Sequence, residues 1–258
     1  MRSLPLIRPR WPAPANVKSA VTTRAGGVSL GSWRELNLGD HVGDDPRAVA
    51  ANRDALRAEL GLARPPLWLR QVHGTDVITF DPLGGEDNPV DTAADAACTH
   101  TEGVACAIMT ADCLPVLFCD RQGTVVAAAH AGWRGLAAGI LRNTVAAMAR
   151  SPGDILAWLG PAIGPHAFEV GGEVEGVFRA EALGAAHRDA IAACFTPSGA
   201  QDKYLADLYG LARAELRAVG VAALYGGGFC TFRERERFYS YRRDGDTGRM
   251  ASLIWLAP

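Results

Sequence analysis

Residues 103–130 constrain the fold more than any other part of this chain. Three apolar stretches, 103–110, 114–119 and 123–130, follow one another with only short breaks between them. Each is short for a helix and too apolar for a surface, so each reads as a buried strand. The third stretch ends in His130-Ala131-Gly132-Trp133-Arg134-Gly135, a glycine turn. A helix is predicted beyond it over 136–150, with Leu136, Ile140, Val145 and Met148 on its buried face. Pro115 interrupts the second stretch, which predicts a sheet edge or a bulge near Cys113.

The rest of the chain supplies further strands and helices around that unit. A strand is expected at 17–24 and a turn at 25–29. An ordered loop at 36–46 holds His41, which reads as a loop histidine or a site residue. Asp45 caps a helix that starts at Pro46 and stops at Gly61. Residues 66–73 read as a strand, with 77–80 as its hairpin partner and 91–101 as a polar, alanine-rich connection. Strands at 155–159 and 250–256, helices at 173–183 and 206–219, and polar loops at 160–172 and 233–248 complete the reading. Alternating strands and helices with hairpin neighbours indicate an α/β protein with mixed sheets. The Pro/Gly-containing stretches 63–66, 82–89 and 160–172 are loop-sized, so residues 1–258 are expected to form a single domain.

Several functional classes are disfavoured. The formal charge of −2 gives no electrostatic footprint for nucleic acid or an anionic membrane. No apolar stretch is long enough to span a bilayer, and the N-terminus has arginines and prolines where a secretory signal has an apolar region. The six cysteines form no CxxC pair and lie largely in apolar runs, so they are expected to be reduced thiols in a cytoplasmic protein.

Chemistry centres on His73, Cys113 and His130. Each histidine stands at a predicted strand end beside glycine, and Cys113 stands between two buried runs. A thiolate and two imidazoles are good ligands for Zn²⁺, and three protein ligands leave a fourth position open. Spacing alone leaves alternatives. The three are equally compatible with a buried thiol and two hydrogen-bonded histidines. Cys113 reads also as a nucleophile activated by a histidine. With Met109 four residues upstream, a copper site of the His₂CysMet type is a third reading. Arg134, at the opening of the 136–150 helix, suits a phosphate or carboxylate. Glu169 is a candidate proton carrier. Arg242 lies among the cations at 240–243 and 247–249, a candidate polyanion site. Trp133, Phe168 and Tyr241 offer rings that could stack on a base or pack in the core.

The motifs QVHGTDV at 71–77, TADCLPVLF at 110–118, HAGWRGL at 130–136, GPAIGP with FEVG at 160–171, and FYSYRRDGDTGR at 238–249 resemble the YfiH-like family. It is also called the laccase-domain, polyphenol oxidase or peptidoglycan editing factor family. TTRAGGVS at 22–29 and LNLGDHVGDDP at 36–46 extend the likeness to nearly the whole chain. The resemblance implies a four-layer α/β/β/α sandwich with mixed sheets, and zinc ligands at His73, Cys113 and His130. It implies a purine nucleoside enzyme that phosphorolyses adenosine, inosine and methylthioadenosine and deaminates adenosine. Purine nucleoside and phosphate would then be its partners, in a monomer or homodimer. Catalytic roles would fall to Cys113, His73, His130, Arg134 and Glu169, and substrate contacts to Arg242, Arg134, Trp133 and Phe168. A Cys/His amidase editing peptidoglycan precursors and a copper phenol oxidase are the alternatives. The chain departs from the family at His166-Ala167 and Cys230-Thr231-Phe232, where the family often carries further cysteines. A secondary metal site there is therefore not expected.

Overall fold

A computed structural model describes residues 3–81 and 92–258. Two sheets face each other. The first runs β1 (Leu6–Ile7), β2 (Val17–Thr22), β14 (Met250–Leu256), β6 (Ala105–Thr110), β3 (Leu67–Trp68). It is antiparallel except for the β3–β6 pair. The second runs β13 (Ala223–Gly226), β9 (Ile155–Leu159), β7 (Leu114–Asp120), β8 (Val126–Ala131), β5 (Ala96–Thr99), β4 (Val77–Thr79). Its outermost pairs are parallel and its inner pairs antiparallel. A small antiparallel sheet of β10 (Glu169–Gly171), β12 (Lys203–Ala206) and β11 (Phe195–Pro197) lies beside them.

The period of two along each strand creates the layers. In β6, Cys106 and Ile108 enter the core between the sheets, while Ala105 and Ala107 join Leu36, Leu38 and Leu56 on the outer side. Leu56 belongs to α1 (Pro46–Leu60), which covers the first sheet. In β7, Leu117 and Cys119 face inward, while Val116 and Phe118 face the helices of the second sheet. Those helices are α2 (Trp133–Ala138), α3 (Ile140–Ala147), α4 (Gly172–Ala180), α5 (Ala185–Ala192) and α6 (Leu208–Ala218). A seventh, α7 (Tyr241–Asp244), is a single turn. Helix, sheet, sheet, helices is the expected four-layer order. Burying a side chain such as Ile108 or Leu117 contributes about 1.5–3 kcal/mol, so the seam between the sheets is a main source of stability.

Some local expectations change. Residues 66–73 and 77–80 do not form a hairpin. β3 pairs with β6 in one sheet and β4 with β5 in the other, so the chain crosses between sheets through His73, whose φ is +60°. The stretch 91–101 is not merely a connection, because 96–99 form the buried strand β5. Its alanines hid it, having no β preference of their own. Residues 82–89, read as a loop, and Asp91 lie outside the described residues. Pro115 marks neither an edge nor a bulge. Its carbonyl accepts the Gly160 N–H at 2.8 Å and the β7–β9 ladder starts only at Val116, so no bond in that ladder needs its missing N–H. The helix predicted over 136–150 starts earlier and is broken at Gly139, whose φ of +102° ends α2 before α3 begins. Helix α5, a turn of helix within 233–248, and strand β10 within 160–172 were not expected.

Candidate metal centre

His73, Cys113 and His130 converge at one end of the seam. Two chain crossings pass there: 69–76 between β3 and β4, and 111–113 between β6 and β7. His130 comes from the end of β8. The ligand-type atoms of the three lie within 4.8 Å of one another, the only such cluster of three His, Cys or carboxylate groups among the described residues. Cys113 Sγ stands 3.8 Å from His73 Nε2. The two imidazoles meet edge to face with centroids 4.7 Å apart. Zn–S and Zn–N bond lengths give a tetrahedral S···N edge of about 3.6 Å, so the spacing suits a metal ion. Gly132 closes over the cluster. A Cβ there would lie 2.7 Å from His73 Cδ2 and 3.1 Å from Cys113 Sγ, so glycine is the residue that lets the turn approach.

Asp95 assembles the two histidines. Its carboxylate, with no solvent exposure, accepts His130 Nδ1–H at 2.8 Å. It also accepts the backbone N–H groups of Val72, His73 and Gly74 at 3.2, 2.9 and 2.7 Å. Burial alone would raise its pKa, but the bonds from His130, Gly74 and Val72 hold it below the usual carboxylate range. The ionised carboxylate fixes the proton of His130 on Nδ1 and leaves Nε2 for a ligand, while the same oxygens hold the loop that carries His73. Burial also raises the Cys113 thiol, yet His130 and His73 outweigh it and bring the pKa down to about 6. Burial lowers His130, and the Cys113 and Asp95 charges reverse that and push it up. Without metal, both shifts favour the thiolate of Cys113 beside a protonated His130.

Asp112 is a second organiser. It adopts φ +103°, unusual for a residue with a side chain. Its carboxylate accepts Thr231 Oγ1–H at 2.6 Å and the Arg242 N–H at 2.7 Å, tying the 230–242 segment to the residue before Cys113. Arg242 Nη1 then donates to the Glu169 carbonyl at 2.7 Å, and its guanidinium lies 5.3 Å over the Phe168 ring. Phe168, Glu169 and Arg242 thus form one wall. Phe168 is buried under the arginine, so the face presented there is guanidinium rather than ring. Trp133 and Arg134 stack on each other at 4.4 Å just after Gly132. Met109 does not join the cluster: its sulfur accepts from Arg53 Nη2 at 3.7 Å. Three other histidines have acid neighbours elsewhere, His41 with Asp40, His100 with Asp81 and His187 with Glu215. The sequence reading missed Asp95. Its one signal was a lone carboxylate inside an alanine run, ADAAC at 94–98.

The comparisons agree with one another. A family model described as multi-copper polyphenol oxidoreductase laccase matches residues 18–257. A purine nucleoside phosphorylase of Pseudomonas aeruginosa is 56% identical over 250 residues, covering 97% of this chain and 98% of that protein. The purine nucleoside phosphorylase YfiH of Escherichia coli is 55% identical over 253 residues, with coverage of 97% and 98%. Among solved structures, a Neisseria meningitidis protein superposes with a TM-score of 0.88 at 52% identity, covering 98% of this chain and 99% of that one. YlmD from Geobacillus stearothermophilus gives 0.88 at 31% identity, covering 100% and 98%.

Proposed function

This chain belongs to the YfiH-like, multi-copper polyphenol oxidoreductase laccase family, and on that premise we propose that it is a zinc-dependent purine nucleoside phosphorylase. The observation that carries the reading is the His73–Cys113–His130 cluster, with its ligand atoms within 4.8 Å of one another. The names of the relatives in Pseudomonas aeruginosa and Escherichia coli supply the substrate class. Zinc is favoured over copper because the Met109 sulfur is turned to Arg53 and no second cluster of this kind exists among the described residues. A zinc ion held by the trio supplies a Lewis acid beside an open position.

The substrates proposed are adenosine, inosine and methylthioadenosine. In phosphorolysis an oxygen of phosphate bonds to C1′ as the C1′–N9 bond breaks. The electron pair leaves on the purine, which takes one proton, and the sugar 1-phosphate is the second product. The same centre is proposed to deaminate adenosine, adding water at C6 and releasing ammonia. The chain's own residues prepare the site. Asp95 fixes the His130 tautomer, Gly132 shields the cluster, and Asp112 holds the wall formed by Phe168, Glu169 and Arg242. The flat guanidinium of Arg242 is suited to lie against a base or its ribose. Glu169, exposed on that wall, is the proposed proton carrier for deamination. Metal analysis of untagged protein, with parallel assays in phosphate and in phosphate-free buffer, tests the reading. The expected result is about one zinc per chain and phosphate-dependent release of free base. Full turnover by metal-free protein would overturn it.

One observation favours a second reading. The lowered Cys113 and raised His130 pKa values form the pair that an amidase acting on peptidoglycan precursors would use. Iodoacetamide labelling separates the two. Chelator-treated protein should label at Cys113 with a rate that rises through pH ~6, well below the ~8.5 of an ordinary thiol. Burial raises Cys98, Cys119 and Cys194 to about 12, 12 and 11, and Cys106 upward as well, so these four stay unlabelled. Zinc-loaded protein should be protected at Cys113. Equal labelling with and without chelator, located by peptide mass spectrometry, would favour the amidase.

A further inference from the structure

Sequence reading placed the phosphate-binding cation at Arg134 or Arg242, but the structure gives both of these other engagements. The Arg134 guanidinium carbon lies 4.4 Å from the Trp133 ring centre, and the Arg242 guanidinium is committed to the Glu169 carbonyl and the Phe168 ring. Arg249 is placed differently. The β14–β6 ladder pairs Met250 with Thr110, so Arg249 stands one step beyond it, at the end where the chain leaves for Asp112 and Cys113. The cation lies close enough to Cys113 and Asp112 to feel both charges.

The Arg249 side chain is held in place without being neutralised. Its backbone N–H donates to Asn37 Oδ1 at 2.9 Å, and its carbonyl accepts from Leu38 N–H. Its stem crosses Gly39 so closely that a Cβ on that glycine would lie 2.7 Å from Arg249 Cγ. Nη1 donates to the carbonyls of Thr247 and Gly248 at 2.8 and 3.1 Å. Among the described residues, Nε–H and the Nη2 protons meet no hydrogen-bond acceptor and no carboxylate pairs directly with the group, although Cys113, Asp112, Tyr241 and Asp246 lie near enough to act on its charge. An arginine stays cationic at any working pH, and a half-buried one that no acid directly contacts keeps donors open to an incoming anion.

A second cation stands nearby on the same side of the first sheet. Arg53 of α1 donates through Nε to the Leu38 carbonyl and through Nη2 to the Met109 sulfur, and pairs with Asp40 at 3.2 Å. Burial lowers the pKa of His41, and the charges of Arg249 and Arg53 add to that against the opposing effect of Asp40. Among the described residues, Asp40 is the one carboxylate directly bonded to this group. The loop at 36–41 thus gathers two guanidinium groups and an imidazole, of which Arg53 and His41 share Asp40 while Arg249 has only the more distant charges of Cys113, Asp112 and Asp246.

We propose that Arg249, backed by Arg53 and His41, is the binding site for the tetrahedral oxyanion, inorganic phosphate, that the reaction consumes. The assignment of phosphate as co-substrate rests on the proposed phosphorylase activity; the anion site itself rests on the geometry. Bidentate donation from Nε–H and Nη2–H is the arrangement in which arginine selects phosphate.

Phosphorus NMR titration of inorganic phosphate into zinc-loaded protein, without nucleoside, tests the site directly. Wild type is expected to bind saturably. Arg249→Met keeps the apolar stem across Gly39 and should bind at least tenfold more weakly, with Arg249→Lys in between. In the assay the phosphate KM of Arg249→Met should rise at least tenfold while the nucleoside KM stays within twofold. Unchanged phosphate affinity in Arg249→Met, or a rise in the nucleoside KM alone, would overturn the proposal while leaving the phosphorylase reading intact. Phosphate binding that depends on Arg249 in a protein that splits no nucleoside would do the reverse.

Discussion

Cys113→Ala protein is expected to purify without stoichiometric metal and to lose on the order of 10³-fold in kcat/KM for phosphorolysis. The thiolate is the only anionic ligand of the trio. Its removal leaves two neutral imidazoles, which hold a divalent ion weakly. The fold should persist, because Cys113 is only half-buried and the core clusters do not include it. Elemental analysis and an unchanged circular dichroism spectrum check the two halves of the expectation. A Cys113→Ala protein that kept both zinc and full activity would remove the centre from the mechanism.

Asp95→Asn is expected to damage both the metal site and the fold. The amide keeps one acceptor but turns an NH₂ group toward donors that the carboxylate had satisfied. Four hydrogen bonds meet there: His130 Nδ1 and the N–H groups of Val72, His73 and Gly74. Zinc affinity should fall by about 10–100-fold, the usual effect of losing a ligand's supporting carboxylate. Metal-free protein should lose about 2–4 kcal/mol, because the carboxylate is fully buried within that network. The pH dependence has a definite sign. The folded-state pKa of Asp95 is depressed, so its contribution is fully present above the unfolded value of ~3.9 and is lost as pH falls through the lower folded value. The stability gap between wild type and Asp95→Asn should therefore close in acid, and because Asp95 also raises His130, part of the gap should be lost as pH rises from ~6.5 through the raised His130 value of about 9. Urea titrations across that range measure it, and a gap independent of pH would show that Asp95 acts only through its shape.

Much of the architecture was legible because its strands are buried on both faces and carry no ambiguous polar positions. The runs 105–110, 114–120 and 250–256 are of this kind, as is the capped start of α1 at Asp45. Elements made of alanine escaped: β5 has residues that are small rather than β-branched, and only its partners make it a strand. The His73 turn escaped because its bend comes from a carboxylate more than twenty residues away, not from local turn chemistry. The same is true of the anion site. Arg249 and Arg134 are equivalent as letters, and only their surroundings distinguish a cation held at the Cys113 end of the sheet from one lying against a tryptophan. The candidate metal ligands were legible as chemistry and were selected by family resemblance. Spacing could not select them, because each comes from a different crossing or strand end.

That dispersal has a kinetic meaning. His73, Cys113 and His130 share no turn and no helix, so a newly made or unfolded chain offers no local chelating pair. They meet only after residues wound into opposite sheets have docked, and contacts between such distant segments form late. Zinc-finger domains work in the other order: a short ligand motif captures the ion and the fold condenses around it. Here an ion held by the trio would enter a finished mould, already shaped by the four bonds to Asp95. On the proposed metal site, loading would therefore be separable from folding, and a metal-depleted chain is expected to be a folded protein rather than a denatured one.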